Sequence, residues 1–400
     1  MGSNNINLLT PSGQFGTRLA GGADAASPRY IFTHLSPITR FLFREEDDLL
    51  LEYLEDDGQI IEPKCFYPVL PLLLVNGAQG IGTGWSTYIP PHDPKSVLNY
   101  IRAKLRGDSD LPKIKPFVRG FKGEIESTND GKGYISVGKA KRLDKRTVKI
   151  EELPVGVWTN AYKQKLLSMR DKGGITDFVE DHTTTKVSFK VKAKPIQITR
   201  MEQSGFETAF KLSAKMSLQN MNAFDLDGSI RKFDSVEGIA DAFFDARLAL
   251  YEDRKSVMQS EIEYAASVMR NKARFIQSVV AGEIDLLSGK STKDQTIKKL
   301  QGLGFASENE LKMIRDNNSV RQRHQESWQT SFDVDEESKE EPGAPVFEYL
   351  LKMPLGTLTA ERIQDLEADA IKKEKDLQDI NEKRPEDLWE DDLDQLSRHL

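Results

Sequence analysis

No proline interrupts the chain between Ser235 and Ala281, and apolar residues recur there mostly at steps of three, four or seven: Val236, Ile239, Phe243, Ala246, Leu250, Val257, Ile262, Ala265 and Met269. This spacing predicts a single helix of some 45 residues, roughly 65 Å long at 1.5 Å per residue, which exceeds the interior of any compact domain. Such a rod needs a partner along its length. Leu358, Ile363, Leu366, Ala370, Leu377 and Ile380 repeat with the same period and can return beside it as an antiparallel coiled coil. Residues 290 to 330 read as short helices between the two. The stretch Asp333-Val-Asp-Glu-Glu-Ser-Lys-Glu-Glu-Pro-Gly343 reads as a solvated acidic loop, not a metal site.

Upstream the period changes. From about 76 to 230 charged and β-branched residues alternate, as in Arg146-Thr-Val-Lys-Ile-Glu and Lys186-Val-Ser-Phe-Lys-Val-Lys, the pattern of strands with one wet face. The first 75 residues, punctuated by Gly, Pro and Asn, predict a small mixed unit with a loop-borne tyrosine. The net charge of −7 averages opposite regions. Residues 101 to 200 carry 23 Lys/Arg against 12 Asp/Glu, a local +11, while residues 301 to 400 carry 13 against 25, a local −12. The first suits a polyanion and the second does not. A single cysteine, Cys65, excludes an internal disulfide and a cysteine-rich zinc site. No apolar run reaches the roughly 20 residues that span a bilayer, and no secretory leader opens the chain, so a soluble protein of a reducing compartment is expected.

The chemistry concentrates at Arg29-Tyr30. A tyrosine oxygen can attack a phosphodiester and an adjacent guanidinium can neutralise charge on its non-bridging oxygens. A phenol in water titrates near about 10, so attack at neutral pH requires a neighbouring positive charge, metal-bound oxygen or base. A packed tyrosine beside a solvated arginine is the competing interpretation. His34, four residues on, can assist Tyr30 only if the segment is helical. The other histidines, His92, His182, His324 and His399, lack metal-ligand spacing. In Asn76-Gly-Ala-Gln-Gly-Ile-Gly-Thr-Gly-Trp85, closely spaced glycines let main chain lie against a ligand but do not meet a nucleotide-loop pattern, and Ile81 between two of them is either a core residue or an exposed wedge. Ser288-Gly-Lys-Ser-Thr292 mimics the tail of a Walker loop, but Ile284 replaces the required glycine.

Gly13-Gln-Phe-Gly-Thr-Arg18, Gly21-Gly22, Ala26-Ser-Pro-Arg-Tyr-Ile-Phe-Thr33 and Asn76-Gly-Ala-Gln-Gly-Ile-Gly-Thr-Gly-Trp-Ser-Thr87 together resemble the breakage-reunion region of eukaryotic type IIA DNA topoisomerase. Looser similarity through Glu151-Glu-Leu-Pro154, Thr159-Asn-Ala-Tyr-Lys163, Tyr349-Leu-Leu-Lys-Met-Pro-Leu355 and Asp387-Leu-Trp389 extends it over nearly the whole chain.

The resemblance implies an α+β multidomain chain: a winged-helix remnant over 1–75, a basic, sheet-rich tower domain over 76–230, a long antiparallel coiled coil with a small helical dimerisation gate over 231–385, and a tail over 386–400. It implies a transient double-strand break through a 5′-phosphotyrosyl bond at Tyr30, with Arg29 on the scissile phosphate. Gln14, Arg18, Ser27, Ile81, Thr83 and Trp85 become candidate DNA contacts, with Ile81 intercalating. Ala23 stands where members often carry a lysine, which removes or moves one backbone contact. Double-stranded DNA and a second copy are the expected partners, the nucleus the expected location, and Mg2+ and ATP the cofactors of the whole enzyme. The family's metal and ATPase domains lie upstream, so the chain is expected to be an internal fragment, inactive alone and binding neither cofactor. Phe347, Tyr349, Leu350, Leu351 and Met353, expected to have few partners within a narrow gate, become the candidate dimer interface. A DNA-binding and dimerisation scaffold without covalent chemistry is the alternative; only the enzyme needs the Tyr30 hydroxyl.

Overall fold

Alternation in the middle of the chain resolves into short antiparallel strands, because successive side chains point to opposite faces and only one face of each sheet is covered. The structure, a computed structural model, describes residues 4–225, 228–284, 292–316, 318–320, 346–354, 356 and 359–400. The acidic loop 333–343, residues 288–291 of the Walker-like stretch, and Leu355 and Leu358 lie outside the described residues. The chain forms two compact units, one of Met1–Leu42, Pro68–Ala246 and Asp392–Leu400, the other of Phe43–Tyr67 and Arg247–Asp391. Its first strands, β1 (Tyr53–Asp56) and β2 (Gln59–Pro63), are a hairpin of the second unit.

The first unit carries the hairpin β3 (Ala78–Ile81) and β4 (Ser86–Ile89), then a helix at Pro94–Arg106. Asp93 caps that helix by accepting from Ser96 N at 3.0 Å, and Gly107 ends it at φ 74°. Strands β5 (Glu124–Ser127) and β6 (Gly133–Val137) belong to a three-stranded sheet completed by a later strand. Strands β7 (Lys139–Arg142), β8 (Thr147–Glu152), β9 (Asp177–Glu180) and β10 (Phe189–Lys192) form a sheet in the order β7-β8-β10-β9. Its inner face places Val148, Ile150, Phe189 and Val191 against Tyr162 and Leu166 of the helix Thr159–Asp171. Each fully buried apolar side chain of this kind contributes roughly 1.5–3 kcal/mol. The Tyr162 hydroxyl donates to the Phe210 carbonyl at 2.9 Å, which satisfies its one buried polar atom. Strand β11 (Ser213–Ser217) completes the three-stranded sheet, and β12 (Met221–Phe224) and β13 (Ile230–Phe233) form a further hairpin.

The expected rod is present as the helix Val236–Val280. In the second unit the helix Ala360–Glu382 returns antiparallel to it, shown by side-chain bonds from Gln259 to Asn381 at 2.6 Å, Arg270 to Glu374 at 2.6 Å and Gln277 to Glu367 at 2.7 Å. Ala273, Ile276 and Leu366 form the apolar seam. Two arginines interrupt the rod's buried stripe. Arg247 bonds Asp47 at 2.6 Å, Arg254 lies 3.6 Å from the same carboxylate, and the ring of Tyr251 sits 4.3 Å from Arg247 and 5.3 Å from Trp389.

The globular end of this unit corrects one expectation. Phe347 and Leu350 are not short of partners: they are buried against Phe275, Ile284, Leu300 and Phe305, with Tyr349, Leu351 and Met353 half-buried at the edge. The short helices Lys293–Gly302 and Glu308–Asp316 enlarge this end enough to give it a core of its own. Within the stretch expected as a tail, the helix Pro385–Ser397 buries Trp389, Leu393 and Leu396. Among the described residues no helix is long and apolar enough to cross a membrane.

His92 is fully buried in the first unit, its Nδ1 3.3 Å from the Leu74 carbonyl and its Nε2 3.3 Å from the Tyr134 hydroxyl. Burial pushes its imidazole down to about 4. The folded state therefore holds it neutral, and its contribution to stability is complete above the unfolded value near about 6.5 and is lost as pH falls towards 4. Thermal unfolding followed from pH 7 to 4 is expected to show a decline on the order of 3 kcal/mol from this group. His92→Gln should flatten the curve in that window, and an equally steep curve in the variant would assign the decline elsewhere.

Candidate active site

Proline fixes φ at Pro28 and starts a single 3-10 turn, Pro28–Tyr30, closed by the Tyr30 amide donating to the Ser27 carbonyl at 2.9 Å. The turn presents Tyr30, which is 69% exposed, with the Arg29 guanidinium carbon 5.7 Å from its ring centroid. A packed tyrosine is therefore excluded. Ile31 returns to extended geometry, and Leu9 and Leu35 form an antiparallel bridge flanked by Thr10 N to His34 O at 2.9 Å and Thr33 Oγ1 to Thr10 O at 2.7 Å. His34 thus lies on an extended segment, where its Nε2 meets Thr10 Oγ1 at 3.1 Å, and is not one helical turn from Tyr30.

The glycine-rich segment ahead of Tyr30 closes on itself. Thr17 gives both its amide, at 2.9 Å, and its hydroxyl, at 2.5 Å, to the Asp24 carboxylate, and these bonds hold that carboxyl below its usual range. The Ala26 amide donates to Gln14 O at 3.0 Å. Gly16 has φ 86°, and a Cβ on it would lie 2.6 Å from Gly22 Cα. Gly21 has φ 65°, and a Cβ there would lie 2.3 Å from the Trp158 ring, so only glycine lets the loop rest on that indole. Two backbone bonds complete the seat: Arg18 N to Thr184 O at 3.2 Å and Asn160 N to Leu19 O at 3.0 Å.

Beneath this loop Glu152 is buried and fully engaged. It takes both terminal nitrogens of Arg18, with Nη1 to Oε2 at 3.2 Å, and the amides of Lys122 at 3.0 Å and Leu153 at 2.9 Å. This corrects the reading of Arg18 as a DNA contact: its charge is committed to an acid 134 positions away. Gln14 and Ser27 stand exposed on the segment, as does Ala23.

The second glycine cluster makes a tight hairpin tip. Gly82 N donates to Trp85 O at 2.8 Å, Gly84 takes φ 81°, and Ile81 is 93% exposed beside Trp85 at 53%. Core packing for Ile81 is thereby excluded, and Thr83 is exposed with it.

Sequence reasoning missed Glu152, the Thr17–Asp24 clasp and Trp158. A signal existed for the first: β8 buries every second residue, Val148, Ile150 and then Glu152, so a carboxylate falls in an apolar register. Among the described residues no group of three or more His, Cys, Asp or Glu is arranged to hold a metal ion, and Asp24 is occupied by Thr17. These residues do not form a magnesium site.

The family model for the A-type subunits of DNA gyrase and topoisomerase IV matches residues 1–394. DNA topoisomerase 2 of Arabidopsis thaliana is 39% identical over an alignment covering 100% of this chain and 28% of the plant protein. DNA topoisomerase 2-alpha of Mus musculus is 39% identical across 98% of the chain and 26% of its own length. The solved DNA-binding, cleavage and re-ligation domain of Plasmodium falciparum topoisomerase II superposes with a TM-score of 0.86 at 33% identity, covering 100% of this chain and 53% of that one. The chain thus spans just over a quarter of the length of these curated relatives. An exposed tyrosine on a proline-started turn, a glycine loop ahead of it seated on Trp158 and agreement along the whole chain lead to one assignment: the chain belongs to the type II DNA topoisomerase family and corresponds to its cleavage-reunion region.

Proposed function

We propose that the chain is part of an ATP-dependent type IIA topoisomerase that cuts both strands of one duplex and passes a second through the gap. The observation that carries this reading is the exposed Arg29-Tyr30 pair on a preformed turn. The Tyr30 oxygen attacks phosphorus, the bond from phosphorus to the 3′ oxygen breaks, and the phenol proton is balanced by the 3′ hydroxyl released. A 5′-phosphotyrosyl bond preserves the linkage, and attack by the 3′ hydroxyl reverses the step. Arg29 neutralises charge on the non-bridging oxygens. Mg2+, held by other parts of the whole protein, would supply further charge neutralisation; we assign its ligands and the ATPase to those parts.

In this reading residues 1–75 are a winged-helix remnant, 76–230 a tower domain along which DNA lies, and 231–385 a coiled coil with an exit gate. The protein acts in the nucleus as a homodimer. Because Phe347 and Leu350 are already buried, the contact between copies draws on the rest of that end, where Val280 is 61% and Met313 58% exposed. Gln14, Ser27, Thr83 and Trp85 meet the duplex, and Ile81 wedges between base pairs at a cost of a few kcal/mol, offset by the added contact of a bent duplex.

Tyr30→Phe in the whole protein is expected to abolish covalent attachment to 5′ DNA ends while leaving DNA affinity intact. An adduct that persists in this variant would return the chain to a binding scaffold. Arg18→Lys keeps the charge but loses the forked pairing with Glu152; adduct formation should fall by about tenfold through misplacement of the loop, with affinity and its salt dependence unchanged. A shallower salt dependence would restore Arg18 as a phosphate contact. Ile81→Ala should reduce bending of a short end-labelled duplex, read by fluorescence transfer, more than it reduces binding.

A further inference from the structure

The sheet that carries Ile81 has an outer face less polar than its position requires. The hairpins β3-β4 and β12-β13 are separate two-stranded sheets whose edges meet: Tyr88 N donates to Asn220 O at 2.8 Å just ahead of β12, and the side-chain Nδ2 of Asn222 donates to Ser86 O at 2.8 Å, so the two edges run antiparallel. Since Ile81 pairs with Ser86 and Asn222 with Lys232, the Ser86–Asn222 bond lines up Ile81, Ser86, Asn222 and Lys232 across the two hairpins. Side chains two residues apart share a face, so the adjacent row, Phe224 paired with Ile230, lies on the same side and at the same end as the Ile81 tip. The opposite face holds Ile89, Met221 and Phe233, all buried. On the outer face Phe224 is 75% and Ile230 42% exposed.

We propose that Phe224 is a second apolar contact to duplex DNA, seated against the minor groove three to four base pairs from the step that Ile81 enters. This rests on the DNA reading of Ile81. Two strand spacings and two residues along β12 separate the side chains by about 12 Å, and a duplex rises about 3.4 Å per base pair. The chemistry between and beside them suits a groove: Ser86 carries an exposed hydroxyl, and Lys232 is exposed in the same row. Isolated apolar residues separated by polar ones fit wedges into a minor groove better than a protein interface, which needs a continuous patch of about 800 Å² on each partner.

The test uses the whole protein on a short duplex, with hydroxyl-radical cleavage reporting minor-groove sugars and 2-aminopurine reporting the Ile81 step. Phe224→Ala is expected to weaken binding about tenfold and remove sugar protection three to four base pairs out, while the 2-aminopurine signal at the Ile81 step persists. Ile81→Ala should do the reverse. Unchanged protection and affinity in Phe224→Ala would overturn the proposal and leave Ile81 standing. A wild-type protein with no 2-aminopurine signal at any step would overturn both. If Phe224→Ala instead shifts sedimentation of the dimer with DNA binding intact, the face belongs to a protein contact and the proposal fails.

Discussion

A carboxylate without water must have its lone pairs filled, and Glu152 fills them with two nitrogens of one arginine and two backbone amides. That requirement ties the segment ahead of the reactive tyrosine to the sheet. The arginine belongs to the loop ahead of Tyr30, so satisfying the acid draws the loop onto the sheet and the helix Thr159–Asp171 behind it. Removing one partner of such a buried pair typically costs 3–5 kcal/mol, a large share of the stability of a small domain. The Thr17–Asp24 clasp then carries the constraint from the seat of the loop towards Ser27, where the 3-10 turn begins.

The second unit repeats this logic with different parts. Asp47 is buried between Arg247 and Arg254, with Tyr251 stacked against Trp389 beside them. A long helix gains little from intrinsic propensity and depends on what covers its stripe; here part of that cover is ionic. In each unit one buried acid gathers arginines from distant parts of the chain, which favours one seating over nearby alternatives more than it adds net stability.

The strands, the rod and its return were legible because each is a local period. Glycine and proline marked the turns that carry Ile81 and Tyr30, because they constrain the backbone whatever surrounds it, but not whether either side chain is covered. The role of Arg18 was not: an arginine in a glycine-rich loop looks the same whether it faces phosphate or an acid 134 residues on. Phe347 and Leu350 were misread because the partners that cover them, Phe275 and Leu300, come from other segments. Alternation around Phe224 marks a face but not whether anything lies over it, and only the bonds between its hairpin and β4 set it beside Ile81. Periodicity reports what a segment needs covered; the partner that does so is a long-range fact.

The contact between Gly21 and Trp158 has an optical consequence. Of the chain's four tryptophans, Trp85 is largely exposed at a hairpin tip and Trp389 is enclosed beside a tyrosine, while Trp158 is half-buried under the loop that leads to the nucleophile. Its indole exchanges a dry neighbour for water whenever that loop lifts. In a variant that keeps Trp158 and replaces Trp85, Trp328 and Trp389 by phenylalanine, its emission is therefore a built-in reporter of whether the tyrosine segment is seated.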